Sequence, residues 1–582
     1  MKWTAKNENQ KSDLKIYERK VPDENIVFLD IDLELEESEV PKPITLKFDF
    51  PCIDTYSVFS PTIWSSRHLG PNWQKRKSNS RLSSGVPVHT LVSLGDRNRL
   101  TIALSDADTA CELRTGIIEE SGNHDVEIII FTQPKNPIKN YRATVRLDFS
   151  DVRYEDALRA VEKWWNSECG YRNAVVPEHA RLPMYSTWYS FHQNVIPEEI
   201  VEQCKLAKSL GMESVIVDDG WQTEDGSRGY AFCGDWEVAK SKVPDMKEFV
   251  DAVHSVGMKF LIWFSVPFVG VHSKAFKKFE GKYLGIEIRK GEPSYAILDP
   301  RFPEVRRYLV ELYENSVKTW GIDGLKLDFI DSFHLYKDTP AFSEEWDTQS
   351  LDDGVNKLMT EITESLSAIK PDIMIEFRQS YVGPAIRKYG NMLRVCDCPL
   401  DALVNRRASA DLRLISGDTA IHSDMLMWNV GDTVESAASQ VISTLFCVPQ
   451  ISVMLDKIPE SHRKMLAFYL SFWRENRDIL LFGEYRAYNP EAFYSMVTAK
   501  KDGHIIGVNY VETVLTFKDE KKLSYVNGSG ADMLTVRFTQ NIGSKKITVK
   551  NCEGDIVSQN VTDITAGIKD FPVPRGGMLT IE

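Results

Sequence analysis

The sequence predicts a multidomain protein of α/β and β class, with a central (β/α)8 TIM barrel between an N-terminal β-sandwich and a C-terminal antiparallel β-domain. Three observations support this prediction. The chain has 582 residues, more than one hydrophobic core normally serves. Strand-like and helix-like patterns alternate in its middle part. Both ends carry only short alternating runs. We therefore expect domains at 1–170, 171–482 and 483–582.

The N-terminal region consists of short runs with β-type alternation, separated by Pro, Gly, Asn and Asp. Examples are ITLKFDF (44–50) and RLTIALS (99–105). Several short strands with turn residues between them, and no long helical period, are typical of an antiparallel sandwich. A helical pattern, YEDALRAVEKWWNSE (154–168), then leads into the next domain.

The middle region contains eight strand–helix units in succession. Such alternation predicts parallel strands joined by crossover helices, and eight units favour a closed barrel over an open doubly wound sheet. No G-x-G-x-x-G motif follows the first strand, so a dinucleotide-binding fold lacks its best support. After about residue 485 the helical patterns stop, and alternating runs such as KKITVKNCEG (545–554) predict a small C-terminal β-domain.

Composition argues against several classes of partner. The net charge of −14 disfavours nucleic acid and anionic membranes, because both bind basic surfaces. The N-terminal segment has no apolar signal core, and no run approaches the length of a membrane span. The nine cysteines lack paired metal-ligand spacing and are read as free thiols in a reducing cytoplasm. We expect a cytoplasmic protein with no metal and no other cofactor.

The active site of a (β/α)8 barrel lies at the C-terminal ends of its strands. Here the strand ends supply carboxylates, cations and aromatic rings: Trp188, Asp218, Asp219, Trp221, Trp263, Lys326, Asp328, Arg378, Arg394 and Asp397. Any one Asp has an ordinary explanation, because Asp ends strands and caps helices. Converging carboxylates are costly unless they bind cations, metals or hydroxyls, or share protons. The ring as a whole therefore indicates a functional site.

Two of these carboxylates suit glycosidic bond cleavage, which needs one ionised and one protonated carboxyl group. Lys326 and Asp328 lie two residues apart on one strand and point to the same side. The lysine charge would hold Asp328 ionised, as a nucleophile requires; a buried structural ion pair is the alternative. Asp397, two strands on, is the candidate general acid with a raised pKa. Arg394 argues against that assignment, because a nearby guanidinium lowers a carboxyl pKa.

A second carboxylate pair, Asp218 and Asp219, ends an apolar strand and precedes Gly220 and Trp221. Neighbouring carboxylates accept hydrogen bonds from adjacent sugar hydroxyls, while an indole covers the apolar face of a sugar. The alternative is a pair of helix-capping residues. In the loop after this strand, Trp236 belongs to a further acid–aromatic pair, GDW (234–236).

Six motifs follow one another in the barrel region: VDDGWQ (217–222), GDWEV (234–238), GMKFLIWF (257–264), DPRFPEVRRYL (299–309), GIDGLKLDF (321–329) and RVCDCPLDA (394–402). In this order, each on its expected strand, they resemble glycoside hydrolase family 36, the microbial α-galactosidases. The resemblance implies hydrolysis of terminal α-galactosides with retention, through a covalent glycosyl-aspartate. It also implies an oligosaccharide substrate and a homo-oligomer, because relatives are often oligomeric.

The resemblance also implies roles for individual residues. Asp328 matches the family's nucleophile and Asp397 its acid/base. The other matched positions bind the sugar: Asp218 and Asp219 (the O4 and O6 hydroxyls), Lys326, Trp188 and Trp263. In some members a tryptophan of the N-terminal domain reaches the site, and Trp64 is the candidate for that position.

The chain departs from the family pattern in two places. IEFRQSYVG (375–383) replaces a Cys-Gly-rich-Arg motif near the sugar O2, so Arg378 is expected to serve there, and SVPFVG (265–270) replaces a Glu-containing loop. Near Asp397, Asp401 is a second candidate carboxylate. Three alternatives stay open: an α-N-acetylgalactosaminidase or transglycosylase of the same mechanism, a metal-dependent TIM-barrel lyase, and a non-catalytic sugar-binding protein.

Overall fold

The computed structural model describes residues 2–22, 24–62 and 66–582. Trp64 lies outside the described residues. The strands of the N-terminal region are β1 (Lys2–Asn7), β2 (Ser12–Lys20), β3 (Ile26–Glu39), β4 (Ile44–Pro51), β5 (Ser57–Phe59), β6 (Arg76–Ser80), β7 (Val88–Val92), β8 (Asn98–Leu104), β9 (Cys111–Ile118), β10 (Asn123–Ile130) and β11 (Ile138–Asp148).

These strands form two antiparallel sheets. The orders are β1-β4-β10-β9-β6 and β2-β3-β11-β8-β7-β5. Alternate residues of β3 and β4 are buried, so that Leu29, Leu33 and Leu46 join a shared apolar core with Ile128 and Leu147. The predicted N-terminal sandwich is confirmed.

The middle region contains the strands β12 (Met184–Ser186), β13 (Ser214–Val217), β14 (Lys259–Ser265), β15 (Phe268–Gly270), β16 (Tyr283–Arg289), β17 (Glu292–Leu298), β18 (Gly324–Asp328), β19 (Met374–Arg378), β20 (Met392–Arg394), β21 (Ala420–His422) and β22 (Gln450–Ile451). Eight of them form one parallel sheet in the order β21-β20-β19-β18-β14-β13-β12-β22. Single bridges of His422 to Val448 and of Leu426 to Ile451 join its two ends. The predicted barrel is confirmed, and β15, β17 and β16 form a small antiparallel sheet in the loop after β14.

The helices are α1 (Tyr154–Ser167), α2 (Trp188–Phe191), α3 (Pro197–Ser209), α4 (Met246–Ser255), α5 (Lys274–Lys278), α6 (Pro303–Trp320), α7 (Leu351–Ile369), α8 (Ala402–Arg413), α9 (Val434–Ile442), α10 (Glu460–Glu475) and α11 (Arg477–Phe482). Their ends follow local chemistry. Pro197 lies in the first turn of α3, where its missing N–H costs nothing. Asp245 accepts from the Lys247 and Glu248 N–H groups and caps α4. Gly321 ends α6 in a left-handed conformation.

The C-terminal strands are β23 (Glu484–Tyr488), β24 (Met496–Lys501), β25 (His504–Asn509), β26 (Val514–Phe517), β27 (Lys522–Asn527), β28 (Met533–Phe538), β29 (Gly543–Lys550), β30 (Ile556–Ile564), β31 (Gly567–Pro572) and β32 (Met578–Ile581). Their two sheets have the orders β23-β24-β25-β27-β32-β29-β30 and β26-β28-β31. The predicted β-domain is confirmed, and most of its pairs are antiparallel. Two pairs, β25 with β27 and β26 with β28, are parallel, because the chain crosses to the other sheet between their members.

Within the residues that the structure describes, no helix is both long enough and apolar enough to cross a bilayer. All nine cysteines lie in this part of the chain and carry free thiols.

A buried ion pair joins the sandwich, the barrel and the C-terminal region. The Arg67 guanidinium lies 2.5 Å from both carboxylate oxygens of Asp411 on α8. It also donates to the Pro490 carbonyl at 2.9 Å and to the Tyr494 hydroxyl at 3.1 Å. Burial opposes the charge on Arg67, but Asp411 and Tyr494 outweigh it and hold the pKa of Arg67 above its usual value. These contacts fix the relative positions of the three regions.

Asp411→Asn is expected to lower the free energy of unfolding by about 3–5 kcal/mol, because it leaves Arg67 buried without a counter-charge. Thermal and urea unfolding of the full chain measure the effect. The matched control is Asp251→Asn, which breaks the exposed pair with Lys247 and is expected to cost less than about 1 kcal/mol. Equal losses in the two variants would contradict a dominant role for the buried pair.

Candidate active site

The C-terminal ends of the barrel strands surround a cavity of about 330 Å³. Eight of the sequence-predicted site residues line it: Trp188, Asp218, Asp219, Trp263, Lys326, Asp328, Arg378 and Asp397. The ends of parallel strands meet at one face of a barrel, which is why residues so distant in sequence converge. A larger hollow, of about 630 Å³, lies on the N-terminal sandwich. It contains none of these residues, and its polar groups pair with each other, as Arg19 does with Asp30.

Asp328, the last residue of β18, has hydrogen-bond donors at both carboxylate oxygens. Trp263 Nε1 donates to Oδ2 at 3.0 Å. Arg378 Nε donates to Oδ1 at 2.5 Å, and the Phe329 backbone N–H donates to the same oxygen at 2.8 Å. These contacts hold the carboxylate in one orientation at the cavity wall.

The charge of Asp328 follows from its neighbours. Burial alone would raise its pKa, but the positive charges of Arg378, Lys326 and Arg394 outweigh burial and hold the pKa well below the usual value. The sequence predicts Lys326 as the source of this effect. In the structure Arg378 is the direct partner, whereas Lys326 Nζ lies 2.6 Å from Asp218 Oδ2. Asp328 is therefore an ionised carboxylate, as a nucleophile must be.

Asp218 and Asp219 form a buried pair of acceptors at the end of β13. Asp218 pairs with Lys326, whereas Asp219 accepts hydrogen bonds from the side-chain amides of Gln193 at 2.7 Å and Gln222 at 2.6 Å. Burial raises the pKa of Asp219 to about 6. Neither residue caps a helix, because Asp245 caps the next one. The helix-capping alternative is therefore wrong, and the pair faces the cavity.

Gly220 allows this arrangement. Its φ of +118° is a conformation that side chains with a Cβ rarely adopt. A Cβ at this position would also lie 2.5 Å from the Gln193 Cα. The close approach of the two backbones brings the Gln193 amide onto Asp219.

Asp397 lies in the loop after β20 and lines the cavity with a side chain that is 58% exposed. Its Oδ1 is 2.9 Å from the NH1 atom of Arg394. Burial and the Asp328 charge raise its pKa, but Arg394 and Lys326 outweigh them and lower it. The expectation of a raised pKa is therefore wrong for the protein without substrate, and the opposing effect of Arg394 is confirmed.

Three predicted sugar-contacting residues do not line the cavity. Trp221 is 0% exposed, and its indole N–H donates to the Trp263 carbonyl at 3.0 Å. Trp236 is 5% exposed and stacks on Trp221 with ring centroids 5.9 Å apart. Both rings pack behind Trp263, so they support the cavity wall instead of forming it. Arg394 is buried beneath Asp397.

Asp401, the second carboxylate considered near Asp397, caps α8 by accepting from the Val404 N–H at 2.9 Å. It does not line the cavity. Asp401 therefore has the ordinary structural role that Asp has at a helix N-terminus.

The cavity also includes Asp331, which the sequence places just beyond the end of β18, and five residues that the sequence did not indicate: Tyr230, Phe329, Gln379, Ser380 and Cys396. Asp331 follows β18, so its position beyond a strand end was a usable signal. Tyr230 comes from the segment between β13 and α4, and its ring packs 5.2 Å from Phe329. No periodic pattern in the sequence indicates the contact between Tyr230 and Phe329.

The N-terminal sandwich contacts the rim of the cavity. Ser84 Oγ lies 3.1 Å from Ser380 Oγ, and the Gly85 N–H donates to the Ser380 carbonyl at 2.8 Å. Arg81 donates to the Asp331 carbonyl at 3.2 Å. The sandwich therefore positions two cavity-lining loops, which only the tertiary structure reveals.

The chemistry available at the site follows from these contacts. Protein cations pair with several of its carboxylates, Lys326 with Asp218, Arg378 with Asp328 and Arg394 with Asp397. Among the residues described, no cluster of three or more His, Cys, Asp or Glu side chains is arranged to hold a metal ion. The arrangement suits a polyhydroxylated ligand, with acceptors deep in the cavity and an ionised carboxylate at its wall.

Comparisons with known proteins agree with this description. The family model described as Melibiase matches residues 173–383. α-Galactosidase Mel36A of Lactobacillus acidophilus is 32% identical over 151 residues, covering 25% of this chain and 19% of that protein. α-Galactosidase 1 of Pediococcus pentosaceus is 30% identical over 149 residues, with the same two shares of 25% and 19%. The matched segments span about a fifth of the length of these relatives.

The solved structures extend the likeness to nearly the whole chain. AgaA, a family 36 α-galactosidase from Geobacillus stearothermophilus, matches with a TM-score of 0.67 at 16% identity, covering 98% of this chain and 81% of that chain. A variant of AgaA in complex with raffinose matches with a TM-score of 0.66 at the same identity and coverage. At 16% sequence identity, this structural similarity establishes a shared fold and nothing more.

The chain is therefore a (β/α)8-barrel protein with a carboxylate-lined cavity at its strand ends, and it shares the fold of solved family 36 structures. Residues 173–383, which lie in the barrel region, match the melibiase family model, and the resemblance to glycoside hydrolase family 36 is confirmed.

Proposed function

We propose that this protein hydrolyses terminal α-galactosides of oligosaccharides with retention, through a covalent glycosyl-aspartate on Asp328. The observation that carries the proposal is the pair of carboxylates in one cavity. Asp328 is buried and held ionised, whereas Asp397 is exposed on the same cavity. The relatives named as α-galactosidases and the raffinose complex of AgaA support the choice of sugar.

In the first step, an Asp328 oxygen attacks the anomeric carbon and the glycosidic bond breaks. Asp397 donates its proton to the departing oxygen, which leaves as an alcohol. Asp397 must therefore take up a proton as substrate enters. The Asp328 charge raises the pKa of Asp397 and favours this uptake, and displacement of water by the sugar strengthens the effect.

In the second step, Asp397 is a carboxylate and accepts a proton from a water molecule. That water oxygen bonds to the anomeric carbon, and the bond to Asp328 breaks. Two inversions at the same carbon restore the original configuration. The hydrogen bonds from Trp263 and Arg378 stabilise the Asp328 carboxylate as it leaves.

We assign the most buried acceptors to the sugar hydroxyls. Asp218 and Asp219 bind the O4 and O6 hydroxyls, and Lys326 donates beside them. Trp188 and Trp263 provide aromatic surface for the apolar side of the ring. We also assign Arg378 to the O2 side of the sugar. Convergence of these hydroxyl partners on one cavity favours removal of a terminal sugar unit.

The test compares hydrolysis of 4-nitrophenyl α-galactoside, α-N-acetylgalactosaminide and α-glucoside, with the product anomer followed by ¹H NMR. Galactoside cleavage with α-galactose as the first product is expected. Turnover of the N-acetylgalactosaminide alone would change the substrate but keep the mechanism. Transfer of galactose to a second sugar in place of water would indicate a transglycosylase. β-Galactose as first product, or no turnover by folded protein, would contradict the proposal.

Two other classes are separated by simple additions to the same assay. A metal-dependent lyase would lose activity in EDTA and regain it with Mg²⁺, whereas we expect no effect of EDTA. A non-catalytic binding protein would bind galactose, measured by calorimetry, without cleaving any galactoside.

The pKa of Asp219 predicts where activity falls on the acid side of the pH profile. Because burial raises its pKa to about 6, Asp219 takes up a proton and loses a hydroxyl acceptor as the pH falls through that value. Asp328 stays ionised far below this pH. We expect kcat/KM for nitrophenyl α-galactoside to fall with a midpoint near pH 6 and Asp219→Asn to remove this limb. A limb at the ordinary aspartate pKa, unchanged in the variant, would contradict the assignment.

The domain division at 1–170, 171–482 and 483–582 is part of the proposal. α1 ends at Ser167 and α11 ends at Phe482, close to the two proposed boundaries. Limited proteolysis with mass spectrometry of the fragments tests both positions. The cytoplasmic location and a homo-oligomeric state stay predictions, the second testable by light scattering.

A further inference from the structure

One guanidinium contacts two carboxylates with different surroundings. The NH1 atom of Arg394 lies 2.9 Å from Asp397 Oδ1 and 2.6 Å from Asp424 Oδ1. The Asp397 side chain is 58% exposed on the cavity, whereas that of Asp424 is 0% exposed. Asp424 does not line the cavity and so touches no substrate. Arg394 connects it to Asp397.

Asp424 is held firmly in its place. Its Oδ2 accepts from the Tyr189 hydroxyl at 2.9 Å and from the Cys398 backbone N–H at 2.7 Å. Asn405 accepts from the Asp424 N–H at 3.0 Å and donates to its carbonyl at 3.2 Å. Because Cys398 follows Asp397 directly, Asp424 also anchors the loop that carries Asp397.

The contacts of Asp424 match its ionised form. Burial and the Asp397 charge raise the pKa of Asp424 above its usual value, although Arg394, the Cys398 N–H and the Tyr189 hydroxyl act to lower it. Every group that meets its two oxygens is a donor, so all of these bonds form when it is a carboxylate. Its negative charge therefore offsets the charge of Arg394 from a position that does not line the cavity.

The electrostatic surroundings of Asp397 are mixed. The titratable and charged groups that act on it, or on which it acts, are Lys326 and Asp328 on β18, Arg394 on β20, Cys396 beside it, Tyr189 on α2 and Asp424 after β21. Glu376 on β19 lies 3.6 Å from Arg394 and gives that guanidinium a further, weaker counter-charge. Arg394 is the strongest of the groups that hold Asp397 as an anion.

From this geometry we propose that Asp424 is a positioning residue for the acid/base Asp397. It neutralises the guanidinium that the two carboxylates share and anchors the backbone next to Asp397, so that Asp397 is able to take up a proton. This inference rests on the proposed function, in which Asp397 protonates the leaving group. Without the Asp424 charge, Arg394 would be paired with Asp397 more strongly and would keep it ionised.

The test is the pH dependence of kcat/KM for Asp424→Asn with two substrates. The sugar that leaves raffinose must be protonated by a general acid as the bond breaks. The nitrophenolate that leaves 4-nitrophenyl α-galactoside departs with little protonation. With raffinose, the alkaline limb is expected to move down by about one pH unit, because one nearby counter-charge is lost. At pH 7 this lowers kcat/KM for raffinose about tenfold, while the nitrophenyl substrate changes less than about threefold.

Tyr189→Phe is the matched control. It removes one hydrogen bond from Asp424 but keeps its charge, so the raffinose limb is expected to stay at its wild-type position. Asp424→Glu, which restores the charge, is expected to return the limb toward the wild-type pH. The melting temperatures of all variants show whether each one is folded.

The outcomes separate this inference from the proposed function. If the wild-type protein cleaves neither galactoside, the proposed function fails, and this inference fails with it before any variant is made. If the wild type is active but Asp424→Asn loses both substrates equally without a shifted limb, Asp424 has only a structural role and the inference is overturned. An unchanged raffinose limb in Asp424→Asn also overturns it.

Discussion

Asp328→Ala is expected to lower kcat for 4-nitrophenyl α-galactoside by at least about 10⁴-fold, because it removes the carboxylate that bonds to the anomeric carbon. No neighbouring group replaces it, since Trp263 and Arg378 present only N–H donors at its two oxygens. Steady-state kinetics on folded protein measure the loss. Asp331→Ala, which removes another carboxylate from the same cavity, is the matched control and is expected to retain far more activity.

Azide distinguishes a lost nucleophile from a damaged site. In Asp328→Ala, azide enters the space of the missing carboxylate and attacks the anomeric carbon once, so β-galactosyl azide is expected. Asp331→Ala is expected to form no such product. If Asp328→Ala keeps most of its activity, or if azide gives the α anomer, the assignment of Asp328 as nucleophile is wrong.

Asp397→Ala is expected to lower kcat/KM for raffinose by about 10²–10⁴-fold, the usual contribution of a general acid. The loss for 4-nitrophenyl α-galactoside is expected to be much smaller in the first step, because nitrophenolate leaves without a proton. The second step then becomes slow, since no base activates water. A burst of nitrophenol followed by slow turnover, measured by stopped-flow absorbance, is the expected signature.

Azide gives the opposite stereochemistry for this variant. It attacks the glycosyl-enzyme after the first inversion, so α-galactosyl azide is expected and turnover of the nitrophenyl substrate rises. Asp401→Ala is the matched control, because Asp401 lies four residues on but caps α8. Equal losses for raffinose and the nitrophenyl substrate in Asp397→Ala would argue against a proton-donating role.

Most of the cavity-lining residues are predictable from the sequence because strand order and residue alternation are local properties. Lys326 and Asp328 point to the same side of β18, and Asp218 ends β13. In a parallel barrel, those two facts suffice to place all three side chains at one face. The same reasoning correctly identified Arg394 as a charge that acts against protonation of Asp397.

The aromatic residues were harder to assign. Trp188 and Trp263 line the cavity, whereas Trp221 and Trp236 pack behind it. An indole is equally suited to a sugar-binding surface and to a core. The choice depends on where the segment after β13 turns, and there the Trp221 N–H finds the Trp263 carbonyl. Nothing in the local pattern of residues encodes that turn.

The sequence by itself determined the succession of elements and the strand end at which each carboxylate lies, because these depend on near neighbours along the chain. Only the tertiary structure decided which charges pair. Lys326 forms an ion pair with Asp218 and Arg378 forms one with Asp328. Arg394 pairs with both Asp397 and Asp424. Ion pairing falls steeply with distance in a buried site, and these distances are set by the packing of strands far apart in the chain.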